Sequence, residues 1–193
     1  MAIAGARLAI LGGVFDPPHV GHVALARAAM AELRLEELLV VVVADPGHKR
    51  ATTSAEVRLE LSRLAFEDVP RATVELDHHA RTVDFLEERK PEDAVLILGA
   101  DELADFWSWK RAKRVLELVR LAVAERPGVT DERVREARAR LPPDRILFFD
   151  MTAIPVSSSE IRERVARREP IEALVSSRVA EAITRLGLYT SAE

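Results

Sequence analysis

The chain has 193 residues, of which 48% are hydrophobic and 31% charged, with a formal net charge of −4 and no cysteine. Length and composition point to one folded domain that needs no cross-links and exclude a long disordered chain, and the missing cysteines exclude disulfides, thiolate metal sites and cysteine nucleophiles. The acidic balance speaks against a dedicated nucleic-acid surface, no apolar run approaches the ~20 residues that cross a bilayer, and the first such run, Leu8–Leu11, is too short for a secretion signal; a cytoplasmic protein without membrane or nucleic-acid partners is expected.

Arg7–Gly13 reads as a strand ending in Gly-Gly, and Val20–Leu33 as a helix with Val23, Ala26, Met30 and Leu33 on one side. Leu38–Ala44 is a continuous aliphatic run, the pattern of a strand buried on both faces. A loop over Asp45–Ser54 leads into a helix over Ala55–Glu67, with Ser54 as its cap. A short strand, Ala72–Leu76, precedes a helix over Thr82–Arg89, and Ala94–Leu98 is a third buried strand before Gly99. Next come a helix over Trp109–Leu118, a strand over Leu121–Glu125 stopped by Arg126-Pro127-Gly128, a charged helix over Asp131–Arg140 and a last strand over Arg145–Phe149. Two helices, Ser158–Arg167 and Ser176–Leu186, form the tail. This alternation predicts an α/β fold, a doubly wound parallel sheet with helices on both faces. Residues 1–193 are expected to form one domain, with 151–193 as a small C-terminal helical subdomain. Ligands of such sheets bind beyond the carboxyl ends of the strands, near the switch point. The loops after Gly13, Ala44, Leu98 and Glu125 would meet there.

The run Gly12-Gly13-Val14-Phe15-Asp16-Pro17-Pro18-His19-Val20-Gly21-His22 carries the most information. It links the first strand to a helix. Its glycines permit a turn with bare backbone N–H groups, and the helix start adds partial positive charge, so the segment suits an anion. His19 and His22, three apart, face one way from the first helical turn and can both donate to phosphate. Gly21 costs the helix up to ~1 kcal/mol relative to Ala; close approach of a ligand would explain it. A zinc site is disfavoured, because no third ligand is evident and the spacing is not H-E-x-x-H. Neither a Walker A sequence nor G-x-G-x-x-G occurs.

On these residues the chain resembles the HxGH nucleotidyltransferases, and most of all the bacterial nicotinate-nucleotide adenylyltransferase family, which opens with GGxFDPxHxGH. The resemblance implies a Rossmann-like nucleotidyltransferase fold. It extends from Leu8 to Tyr189 through further motifs. His48-Lys49 follows the second strand, where the family places a His-Lys pair with the Lys on phosphates; a Lys there is a mobile point charge suited to that task. Gly99-Ala100-Asp101 resembles the family's GADxLxxFxxWxxW. Gly99 would let a nucleotide pack against backbone, while Asp101 could accept from ribose hydroxyls or cap a helix. By resemblance Trp109 stacks on the pyridine ring; as a bare residue it could equally anchor a core. Ala112 replaces the second family Trp, and Trp107 is an extra aromatic. Arg126-Pro127-Gly128 also matches. Val156-Ser157-Ser158-Ser159-Glu160-Ile161-Arg162 resembles ISSTxIR, with Ser159 in place of Thr. One segment departs: Asp77-His78-His79-Ala80-Arg81-Thr82 is shorter than its family counterpart and lacks the Tyr of a Ser-Tyr-Thr stretch, which leaves the choice between nicotinate and nicotinamide mononucleotide open.

The resemblance implies adenylyl transfer from ATP to nicotinate mononucleotide, giving nicotinate adenine dinucleotide and pyrophosphate. His19, His22, Lys49 and Arg162 are the expected catalytic residues, acting as positive groups. Gly12, Gly13, Phe15, His19, His22, Gly99, Asp101, Ser157, Ser158 and Arg162 are expected at ATP, and Asp16, Lys49, Thr82, Trp109 and Arg126 at the mononucleotide. Asp16 would orient the loop or the mononucleotide. Mg²⁺ would ride on the ATP phosphates, without dedicated protein ligands. Homo-oligomerisation stays open. Other readings are a nicotinamide-mononucleotide or phosphopantetheine adenylyltransferase, a cytidylyltransferase, and a nucleotide-binding sensor without turnover. A class I aminoacyl-tRNA synthetase fragment is disfavoured by length and by the missing KMSKS lysines.

Overall fold

The computed structural model describes residues 7–47, 51–125, 131–152 and 154–190. Six strands form one parallel sheet: β1 (Leu8–Gly13), β2 (Glu37–Val43), β3 (Ala72–Asp77), β4 (Ala94–Leu98), β5 (Arg120–Glu125) and β6 (Ile146–Asp150). Their order is β3-β2-β1-β4-β5-β6. The chain thus winds outward one way from β1, returns, and winds the other way from β4. The crevice between the carboxyl ends of β1 and β4 is the switch point at which doubly wound sheets bind ligands. The register sets the depth of that crevice: Gly12 and Gly13 end β1 opposite Val41 and Val42, while on the other flank β4 pairs with β1 only up to Ile10.

Period-two alternation divides the aliphatic strands between two cores. Ile10, Leu39, Val41, Leu96, Leu98, Leu121 and Val123 point to one face. There they meet α3 (Thr82–Arg89), α4 (Ala100–Asp105), α5 (Ala112–Leu118) and α6 (Glu132–Ala139). Ala9, Leu11, Leu38, Val40, Val42, Val95 and Ile97 point to the other face, against α1 (Val20–Leu33) and α2 (Ala55–Phe66). Strands covered on both faces need apolar residues at every position, which is why β2 and β4 read as unbroken runs. The tail helices α7 (Ser158–Ala166) and α8 (Ser177–Arg185) build a third cluster. Ile161, Ile171, Val175, Val179 and Ile183 enclose Leu61 of α2 in it, all within 7% exposure. That cluster fixes the start of α7 beside the start of α1.

The expected helix over Trp109–Leu118 is found over Ala112–Leu118, starting three residues late. A short 3₁₀ turn, η1 (Phe106–Ser108), follows α4; Trp109 is extended, and α5 begins only after Arg111, whose φ is +55°. Two contacts hold the turn that precedes it. The Ser108 hydroxyl donates to the Asp105 carbonyl at 2.6 Å, and the Trp107 indole N–H donates to the Ala137 carbonyl of α6 at 3.0 Å. Asp101 is not the cap of its helix: Gly99 occupies that position, and Asp101 lies exposed in the first turn.

Candidate active site

The loop from Gly13 to His19 is shaped by contacts that a side chain at Gly13 would prevent. A Cβ there would lie 2.8 Å from the Phe15 ring. Phe15 itself has φ +53°, and its buried ring packs edge-on against Phe66 and His22, with centroids 6.1 and 5.0 Å away. Gly12 faces open space.

His19 is the residue before α1 and His22 lies in its first turn. Their rings stack, 3.6 Å between centroids and 23° between planes. The His19 backbone N–H donates to His22 Nδ1 at 3.2 Å. A nitrogen that accepts cannot carry the proton, so the neutral His22 ring bears it on Nε2. His19 is buried, and its Nδ1 has no protein partner. Burial pushes the His19 pKa down to about 4. Burial, with the nearby His19 second, also holds His22 well below the usual histidine range. Both imidazoles are therefore neutral at pH 7 in the free protein. They remain hydrogen-bond donors preset beside a helix start, and an incoming anion would raise both pKa values.

Gly21 also has a different cause from the expected one. A Cβ at Gly21 would meet His19 Nδ1 and Val156 Cγ1, each at 3.0 Å. The protein's own imidazole, and not a ligand, claims that space.

Asp16 is buried at 4% exposure. Its Oδ2 accepts from the Thr52 backbone N–H. Its Oδ1 accepts from the Thr53 hydroxyl at 2.8 Å and from the Tyr189 hydroxyl at 2.7 Å. Of the two roles expected of Asp16, these contacts serve the orientation of loops. The α7 start closes on the same loop: the Ser158 hydroxyl donates to the Pro17 carbonyl at 2.8 Å, and Arg162 donates to the Asp16 carbonyl at 2.7 Å and to the Ser159 hydroxyl at 3.0 Å. Ser157 caps α7 by accepting from the Glu160 N–H at 3.1 Å. A half-buried guanidinium and a helix N-terminus thus stand beside the His pair, an arrangement suited to a polyanion.

Sequence reading missed Arg58. It is 1% exposed, on α2, and donates to the carbonyls of Val14 (2.9 Å), Val43 (2.6 Å), Ala44 (2.8 Å) and Thr53 (3.4 Å). One guanidinium therefore binds the carboxyl ends of β1 and β2 to the loop before α2. The available signal was positional: Arg58 precedes the inward-facing Leu61 and Ser62 by three and four residues, and a cation on the buried face of a helix calls for partners.

Gly99 and Asp101 stand beyond β4 as expected. Trp109 is half-buried, its ring tilted against Phe106 at 5.5 Å. Its neighbour Lys110 reaches Asp84 of α3 at 3.5 Å, and Thr82 opens α3. That contact links the Trp109 segment to the start of α3. In the connection before α3, His79 Nδ1 meets Asp77 Oδ1 at 2.6 Å and Nε2 meets Glu88 at 3.1 Å. Lys49 and Arg126 lie outside the described residues, as do His48 and the Pro127-Gly128 turn.

Comparison with known proteins agrees with this geometry. The family model for cytidylyltransferase-like proteins matches residues 10–164. A protein of Bordetella avium named "Probable nicotinate-nucleotide adenylyltransferase" is 39% identical over 196 aligned residues, covering 96% of this chain and 99% of the relative. One of the same name from Rubrobacter xylanophilus is 38% identical, covering 95% and 92%. Among solved structures, Plasmodium falciparum nicotinic acid mononucleotide adenylyltransferase complexed with NaAD superposes with a TM-score of 0.76 at 18% identity, covering 95% of this chain and 97% of that one. The same enzyme complexed with APC gives 0.74 at 20% identity, with the same coverage. These two likenesses bear on the fold. The nearly full-length identity to the bacterial proteins decides the closer kinship: the chain belongs to the nicotinate-nucleotide adenylyltransferase family of cytidylyltransferase-like nucleotidyltransferases.

Proposed function

We propose that this protein transfers the adenylyl group of ATP to the phosphate of nicotinate mononucleotide, releasing pyrophosphate and forming nicotinate adenine dinucleotide. The observation that carries the reading is the His19–His22 pair, two imidazoles stacked at 3.6 Å at the switch point, with the buried His19 Nδ1 left without a protein partner. Family membership supplies the acceptor.

The attacking phosphate is largely dianionic at pH 7, since its second pKa is about 6, so no strong base is required. An oxygen of the mononucleotide phosphate forms the new bond to the α-phosphorus of ATP, and the bond from that phosphorus to the bridging oxygen breaks, leaving pyrophosphate. The protein's task is to align two anions and to meet the charge that develops on the transferred group and the leaving group. His22 Nε2–H is held for this by the bond at its Nδ1, and His19 lies in ring contact with it. Arg162 and the Ser157–Ser158 start of α7 would take the β and γ phosphates, and Lys49 would serve the phosphates from the β2–α2 connection. Gly12, Gly13 and Phe15 would shape the ATP side, with Gly99 and Asp101 at the ribose. Thr82, Trp109 and Arg126 would line the mononucleotide side. Asp16 acts through the loops it joins. Among the described residues no group of three or more His, Asp or Glu is placed to hold a metal ion. Mg²⁺ would enter with the ATP phosphates as part of the substrate, and no step here is routed through it.

The test is pyrophosphate release from ATP and Mg²⁺ with nicotinate mononucleotide, nicotinamide mononucleotide and phosphopantetheine in parallel. Turnover is expected with the pyridine nucleotides, fastest with nicotinate mononucleotide. Fastest turnover with phosphopantetheine would replace the acceptor. ATP binding without any turnover would leave a nucleotide-binding module.

A further inference from the structure

Tyr189 is the chain's sole tyrosine, two residues after a glycine at φ +61° and only four residues from the end of the sequence. Its own φ is +60°, a conformation that a bulky residue adopts only when its surroundings hold it there. What holds it is visible. The hydroxyl donates to Asp16 Oδ1 at 2.7 Å, bridging 173 residues of sequence, and the ring joins the apolar cluster of α2, α7 and α8. Leu188 beside it packs into the same cluster, and its N–H donates to the Ile183 carbonyl at 3.0 Å. The tail therefore approaches the site from a firmly packed base and reaches Asp16 there through its hydroxyl.

The atom it contacts is the junction of the site. Asp16 lies three residues before His19. Its carboxylate gathers the Thr52 N–H and the Thr53 hydroxyl of the β2–α2 connection, and its carbonyl holds Arg162. Oδ1 has two donors, Thr53 and Tyr189, arriving from different elements. Between them they fix the rotation of the carboxylate, and with it the distance between the histidine loop and the β2–α2 connection. With Tyr189 removed, Oδ1 keeps only a hydroxyl on the connection itself, which can move with it. Burial and the Asp16 carboxylate together push the Tyr189 phenol pKa upward, so the hydroxyl stays a donor across the working pH range.

We infer that Tyr189 is a positioning residue for the transfer reaction: the C-terminal segment is a strap whose hydroxyl fastens Asp16, and through it sets the His19 loop against the β2–α2 connection. The inference rests on the adenylyl-transfer reading for its effect on turnover, but not for the fastening itself.

The experiment compares the full-length protein with Tyr189→Phe, which removes only the hydroxyl, and with Leu188→Ala, which loosens the same tail without touching Asp16. Two quantities are read: amide hydrogen exchange of peptides covering residues 12–22 and 51–54, and kcat and KM at a temperature well below unfolding. Tyr189→Phe is expected to speed exchange in both peptides. It should also lower kcat about tenfold, the scale of one hydrogen bond to a charged group, with the KM for ATP changed less than kcat. Leu188→Ala is expected to lower Tm and leave kcat near wild type. The inference is overturned if Tyr189→Phe exchanges like wild type, if it exchanges faster but keeps full kcat, or if Leu188→Ala matches its loss of kcat at equal loss of Tm. Should the wild-type protein release no pyrophosphate, the transferase reading falls, and exchange alone judges the strap: faster exchange in Tyr189→Phe upholds the fastening and unchanged exchange removes it.

Discussion

Gly21 gives His19 its place: a methyl group at Gly21 would press on His19 Nδ1 and on Val156 Cγ1, each 3.0 Å away. In a helix the Gly21→Ala change would ordinarily gain ~1 kcal/mol from propensity, and the contact with two side chains offsets a comparable amount. Stability is therefore expected to stay within about 1 kcal/mol of wild type, while His19 is displaced by a few tenths of an ångström or more. The expected result is a drop of at least tenfold in kcat with nearly unchanged urea unfolding, since small misplacements at a reacting centre cost ten- to a hundredfold. Full activity in Gly21→Ala would show that the position of the His19 ring is not critical.

His22→Ala removes the Nε2–H donor and leaves the His19 backbone N–H without its acceptor. Loss of one preset donor to a developing oxyanion costs at least ~2.7 kcal/mol, about a hundredfold in kcat. His22→Asn, which can still accept from the His19 N–H, is expected to recover stability and not turnover. Steady-state kinetics beside thermal melting separates the two effects. Near-normal kcat in a folded His22→Ala protein would remove His22 from the reaction.

The pH dependence follows from neutral, buried imidazoles. His19 is pushed down to about 4 by burial, against 6.5 for an ordinary histidine. Between those values the unfolded chain binds the proton and the folded one does not, so stability rises with pH there. The contribution is complete above about pH 6.5 and is lost as pH falls toward 4. For His19 the gap is roughly 3 kcal/mol. His19→Asn is expected to flatten the stability curve over that interval, measured by urea unfolding at a series of pH values. An unchanged slope would mean that other groups carry the acid sensitivity. Bound triphosphate favours the charged imidazole, so ATP binding near pH 6 should take up protons, read by calorimetry in two buffers of different ionisation enthalpy.

The sheet was legible because strands covered on both faces need apolar residues at every position; Leu38–Val43 and Ala94–Leu98 could be little else. The histidine motif was legible because its residues are consecutive. Asp16, Arg58 and Tyr189 were harder, since each works through contacts distant in sequence. Asp16 reads as a free carboxylate until Thr53 and Tyr189 are seen to occupy it, and Arg58 reads as a helix surface charge until four carbonyls surround it. The helix expected over Trp109–Leu118 is present but begins only at Ala112. Trp109 is extended and Arg111 takes a φ of +55°, a local backbone choice that a helix-compatible composition does not announce.

Arg58 gives a prediction about what supports the site. It satisfies carbonyls at the ends of β1 and β2 that would otherwise be buried unpaired, at about 1–3 kcal/mol each. Arg58→Met is expected to cost roughly 3 kcal/mol in urea unfolding. Arg58→Lys should recover only part, because a lysine has no planar fork to span Val43 and Ala44 together. A loss below about 1 kcal/mol in Arg58→Met would show that the carbonyls find water or other donors.

Trp109 separates two roles that its sequence leaves joined. As a stacking surface for the pyridine ring it contributes equally to ground and transition states, so its loss raises the KM for the mononucleotide and spares kcat. Stacking of that kind is worth ~0.5–1.5 kcal/mol beyond burial, up to about tenfold in KM. As a core anchor on Phe106 its loss would instead lower stability and disturb both substrates alike. The ring is half-buried and tilted 53° against Phe106, leaving part of it available. Trp109→Ala is therefore expected to raise the mononucleotide KM severalfold with the ATP KM within twofold of wild type. Trp109→Phe, which retains a flat π-surface, should fall between the two. If the two KM values rise in step, and Tm falls with them, the packing role accounts for Trp109 and the pyridine ring must be held elsewhere.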